Sequence, residues 1–130
     1  MKIPNRSSLL QDIGRAVFMM AIAVALVLTT RVALAHAVLV HSSPIANASL
    51  QGPNLPISLK FNSRVDATRS TLMLTSPDGK STKLTLDAQK SPDTLTTQAS
   101  GLAAGKYAIN WQVLAVDGHI TRGQIPFEVK

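Results

Sequence analysis

The sequence predicts an all-β domain over residues 36–130, a single antiparallel two-sheet β-sandwich of immunoglobulin-like kind. Three observations predict it. Apolar and polar residues alternate in short stretches, with no useful run of helical period. The stretches are bounded by Gly, Pro, Asn, Asp and Ser, the residues of turns. The segment is about 95 residues long, the size of one small sandwich.

The strands follow in order. Ala37–His41 opens the domain and is broken by Ser43-Pro44 and Gly52-Pro53. Ile57–Phe61 and Ser70–Thr75 come next, then the turn Ser76-Pro77-Asp78-Gly79, with Pro and Gly where a tight turn wants them. Ser81–Leu86 and Thr94–Ala99 flank a second break at Ser91-Pro92-Asp93. Lys106–Val116 is the longest strand and alternates most clearly. Tyr107, Ile109, Trp111, Val113 and Ala115 share its apolar face, which makes Trp111 a core residue first and a site neighbour second. Arg122–Val129 closes the domain. Pro126 has no N–H to give a ladder, which predicts an edge or a bulge there. Met73, between Leu72 and Leu74, is expected in the core.

Residues 1–35 are read as a signal peptide. Lys2, Arg6 and Arg15 form a basic start, and Ala16–Leu28 is an uncharged apolar run of about 13 residues, short for a membrane span of about 20. Ala33 and Ala35 form an A-x-A cleavage site, so a cut after Ala35 makes His36 the first residue. The competing reading is an uncleaved anchor.

Composition excludes several classes. With no cysteine, disulfides, thiolate metal sites and cysteine nucleophiles are ruled out. The net charge of +6 divides evenly between leader and domain. The domain's share is scattered, without the clustered Lys and Arg of a nucleic-acid surface. No Gly-rich phosphate loop, H-E-x-x-H pair or nucleophile elbow is present.

The candidate site residues are His36, Asp117 and His119. An N-terminal His36 offers two nitrogens from one residue, its α-amine and its ring, which can close a chelate on one metal. The unperturbed amine titrates near about 7.7–8.0, so a metal can displace its proton near neutral pH. Asp117 and His119 are two apart, and in extended backbone they project together. Three nitrogens and one oxygen in a tetragonal set suit Cu(II), one ion per mature chain, with nickel a close alternative and zinc a poorer one. Taken alone, Asp-Gly-His reads as a β-turn with a surface histidine. His41, by alternation on the face of Ala37 and Leu39, reads as a surface or hydrogen-bonded histidine, with an auxiliary ligand role as the alternative. Met73 is the sole methionine beyond the leader, too few for a Cu(I) thioether cluster.

The domain resembles the CopC copper-resistance family. The resemblance runs from His36-Ala37-Val38-Leu39 and Ser43-Pro44 through Ile57–Asn62 and Pro77-Asp78-Gly79. It is strongest over Gly105-Lys106-Tyr107, Trp111-Gln112-Val113, Val116-Asp117-Gly118-His119, Arg122-Gly123 and Phe127-Glu128-Val129. It implies a cupredoxin-like sandwich, a periplasmic location and a copper carrier or buffer. It also implies Cu(II) held by His36 through amine and ring, with Asp117 and His119. A CopD-type inner-membrane copper transporter is the implied partner. The chain departs from the pattern in lacking a Met-rich loop and in carrying Ser63-Arg64 where many members have an acidic residue. Two other functions compete: a metal-free immunoglobulin-like interaction module, and a copper-dependent oxidase with an N-terminal histidine. The oxidase needs an open coordination position, which Asp117 as an equatorial ligand fills.

Overall fold

A computed structural model describes residues 5–28 and 36–130. The chain divides into two compact units, residues 1–33 and 34–130.

In the first unit, α1 spans Arg6–Leu28. The Asn5 carbonyl starts it, accepting from the Ser8 and Leu9 backbone N–H groups. Among the described residues it is the one helix long and apolar enough to cross a membrane by length and composition, a test that a signal sequence near the N-terminus also passes. The A-x-A site at Ala33 and Ala35 lies outside the described residues.

The second unit is a two-sheet β-sandwich. Its strands are β1 (Leu39–Ser43), β2 (Ala48–Leu50), β3 (Leu55–Phe61), β4 (Val65–Thr75), β5 (Ser81–Leu84), β6 (Thr94–Ala99), β7 (Gly105–Ala115) and β8 (Ile120–Val129). One sheet has the order β1-β3-β6 and the other β2-β8-β7-β4-β5. Seven strands match the expected segments to within a few residues. The eighth, β2, is three residues long and too short to carry a readable alternation. It runs parallel to β8, the one parallel pair among the described strands.

The core forms where the two inner faces meet. Tyr107, Ile109, Trp111, Val113 and Ala115 of β7 are all buried, as period two requires. They face Ile57, Leu59 and Phe61 of β3 and Leu95 of β6 in the other sheet, with Leu72 and Leu74 of β4 beside them in their own, all in one cluster. Phe61 meets the Trp111 ring edge-on, with centroids 5.4 Å apart, a favoured aromatic geometry.

The expectation for Met73 is corrected, and that for Pro126 holds in one of its two forms. Met73 is not a core residue. Leu72 and Leu74 are buried, so alternation turns Met73 to the outer face of the five-stranded sheet. There it lies along a shallow groove with Thr71, Asn110, Gln112, Arg122 and Gln124. Cross-strand bonds tie this polar surface together, from Arg122 Nε to Gln112 Oε1 (2.6 Å) and from Gln124 Nε2 to Asn110 Oδ1 (3.0 Å). Pro126 marks no bulge, but β8 is an edge where it stands. The β7–β8 register is unbroken from Gly105↔Val129 to Leu114↔Ile120, while on its other side β8 pairs with β2 only over Phe127, Glu128 and Val129. The Pro126 carbonyl accepts from the Asn47 N–H at 2.7 Å, just before β2 begins. Its nitrogen faces the same margin, so β7 loses no ladder bond.

Gly123 pairs with Trp111 across β7 and β8, and the indole lies over it. A Cβ at residue 123 would overlap the ring atoms Cζ2 and Cε2. Gly123→Ala is therefore expected to cost about 1–3 kcal/mol by overpacking. At about 4–8 °C per kcal/mol for a domain this size, calorimetry should register a clear fall in Tm. An unchanged Tm would show that the indole has room to move.

Candidate metal centre

The site is built from the start of the domain and the β7–β8 hairpin. Strand β7 ends at Ala115, and residues 116–119 turn the chain into β8. The Gly118 N–H donates to the Ala115 carbonyl (3.0 Å) and the Ala115 N–H to the His119 carbonyl (2.9 Å). Gly118 has φ +85°, and a Cβ there would meet nothing within 4 Å. Glycine is thus required here by backbone conformation, not by crowding.

Asp117 and His119 do converge, but not through extended backbone. Asp117 Oδ1 accepts the His119 backbone N–H at 3.0 Å, and Oδ2 lies 2.8 Å from His119 Nδ1. This is an Asx-type turn closed by a side-chain pair. The backbone N–H of His119 is the main reason the Asp117 carboxyl is held below the usual carboxylate range. Partial desolvation opposes it, while the His119 ring and the His36 charge assist. All three residues are exposed, and within the pair the His119 side chain, at 59%, is more open to solvent than that of Asp117, at 18%. With Nδ1 engaged, His119 has Nε2 free for a ligand. A carboxylate oxygen that accepts one bond still has lone pairs to offer.

His36 reaches this corner from the other end of the domain. Its ring stacks on His119 with centroids 4.4 Å apart and planes at 28°. One donor atom each from His36, Asp117 and His119 lie within 4.8 Å of one another, a group able to hold a metal ion. The structure thus brings all three expected residues together.

Other residues fall elsewhere. His41 is exposed and pairs with Lys60 across β1 and β3. The register shifts between Leu39 and His41, so the alternation that put His41 on the face of Ala37 and Leu39 is broken. Trp111 belongs to the core. Arg64 is exposed, and its carbonyl accepts from the Val116 N–H at 3.4 Å.

Two residues beside the site were not singled out from sequence. Thr121 Oγ1 donates to the Ala37 carbonyl at 2.9 Å. Asn62 Oδ1 accepts the Val38 N–H at 2.8 Å, and the Asn62 N–H donates to the Val38 carbonyl at 3.0 Å. No periodicity marks either one, because each acts on backbone far away in the chain.

A two-sheet β-sandwich with a solvent-facing His/Asp/His group that could hold a metal ion describes a class of β-protein. Within that class the chain belongs to the CopC family: the CopC domain model matches residues 39–130. The match begins three residues after His36 and includes Asp117 and His119. The chain is 30% identical over 124 residues to Copper resistance protein C of Xanthomonas campestris pv. juglandis, covering 89% of this chain and 97% of that one. It is 35% identical over 100 residues to Protein YobA of Escherichia coli K12, covering 74% and 80%. Among solved structures it resembles CopC from Methylosinus trichosporium OB3b, at TM-score 0.66 and 31% identity, covering 73% and 94%. PcoC, a methionine-rich copper resistance protein from Escherichia coli, shares the fold at TM-score 0.60 and 24% identity, covering 74% and 100%.

Proposed function

We propose that this chain is an exported Cu(II)-binding protein that acts without enzymatic turnover, as a carrier or buffer in copper homeostasis. The convergence of His36 with Asp117 and His119, from opposite ends of the domain, carries this reading. Signal peptidase cuts after Ala35, the mature protein works in the periplasm without membrane insertion, and a CopD-type transporter is its exchange partner. In the full-length chain the His36 nitrogen belongs to a peptide bond, so the cut creates the amine ligand. Amine and ring of His36, one Asp117 oxygen and His119 Nε2 then surround one ion. A borderline metal such as Cu(II) favours such a nitrogen-rich, tetragonal set. A carboxylate in an equatorial place leaves little room for oxygen activation, which favours a carrier over an oxidase.

The test is Cu(II) titration of protein exported and processed by the cell, followed by electron paramagnetic resonance. One ion per chain with a tetragonal, multi-nitrogen signal is the expected result. Oxygen-only coordination, or uptake indifferent to His119→Ala, would defeat the reading. Affinity should also fall as pH drops from about 8 to 5, because protons compete for the amine and imidazole nitrogens. Asp117 has a depressed carboxyl pKa, so it stays ionised through that window and contributes little to the loss. Its own contribution to stability is present above the unfolded carboxylate value and disappears only as pH falls through the lower folded value.

A further inference from the structure

We propose that Thr121 is a positioning residue that holds the processed N-terminus in register for metal capture. This rests on the Cu(II) site proposed above.

Chain ends are poorly ordered unless they are tied down. After processing, His36 is such an end, and the first strand begins only at Leu39. Residues 37 and 38 therefore lack a regular ladder. They are held instead from both sheets. Thr121, on β8 of the five-stranded sheet, donates its hydroxyl to the Ala37 carbonyl at 2.9 Å. Asn62, at the end of β3 in the three-stranded sheet, grips both backbone groups of Val38. Ala37 is fully buried between them. The residue directly after the pincer is thereby fixed, and the His36 ring lies against His119.

Thr121 also stands two residues from His119, at the start of the strand that leaves the hairpin. Its hydroxyl thus links the two halves of the site, the N-terminal segment and the Asp117–His119 corner. A metal that must order a loose chain end binds more weakly than one that meets it in place.

The test uses exported, processed protein with Thr121→Val, which keeps shape and β-branching but removes the donor, and Thr121→Ser, which restores it. Thr121→Val is expected to weaken Cu(II) binding about 10–100-fold, as loss of a supporting partner does, and Thr121→Ser to recover most of it. In the metal-free protein, amide exchange at Ala37 and Val38 should quicken in Thr121→Val while β7 stays protected. Wild-type affinity in Thr121→Val would overturn the proposal, as would loss of protection spread through β7 and β8. Failure of the wild-type protein to bind Cu(II) sinks the site itself. The exchange data would then still report whether Thr121 orders the chain end.

Discussion

A processed chain carrying one extra residue ahead of His36 is expected to bind Cu(II) roughly a hundredfold more weakly, although every side chain is unchanged. The extension turns the His36 amine into an amide, which removes one nitrogen and the chelate ring it closes. Four-ligand structural zinc sites, taken as a scale, yield about 10–16 kcal/mol in all. One ligand is thus worth roughly 3 kcal/mol, which is about two powers of ten in Kd. Competition titration against a chelator of known affinity reads the change directly. His36→Ala is the complement, since it keeps the amine and removes the ring. If the extended chain binds like wild type, the amine is not a ligand and the pincer does not form.

Phe61→Ala is expected to cost about 3–5 kcal/mol, the usual range for deleting a buried aromatic ring. Phe61 is 1% exposed and packs against the edge of Trp111, so its loss leaves a cavity between the two sheets. A small domain has about 5–15 kcal/mol to lose, and the corresponding fall in Tm is roughly 15–30 °C. Trp111 is the sole tryptophan, so its fluorescence reports the transition without a label. A fall of only a few degrees would mean that the sheets close over the gap. Saturating Cu(II) should recover part of the loss in protein with a free His36 amine, because a ligand that binds the folded state stabilises it by mass action. The same metal should do far less for the extended chain.

Much of the fold is legible because strands report themselves locally. The five inward residues of β7 alternate without interruption, and turn residues fence most strands. β2 escaped because three residues cannot show a period. His41 is the surface histidine expected, but its face departs from alternation because a register shift in β1 leaves no trace in composition. Met73 departs from its expected place for a different reason: on a strand, a residue between two buried leucines must face outward, however apolar it is. Pro126 is tolerated because its missing N–H faces the margin of β8 that the β2 pairing does not reach.

The candidate site divides in the same way. Asp117, Gly118 and His119 are adjacent, so residue type and spacing mark them without a fold. The sequence also bears on the donors, since it has no cysteine and one methionine beyond residue 35, which leaves the group that could hold a metal with nitrogen and oxygen to offer. Tertiary structure alone decided that His36, more than eighty residues away, stacks on His119, and that Thr121 and Asn62 hold the intervening backbone. Local pattern records which face a residue takes along its own strand. Which chain ends meet depends on how two sheets pack, and that is set by the whole core at once.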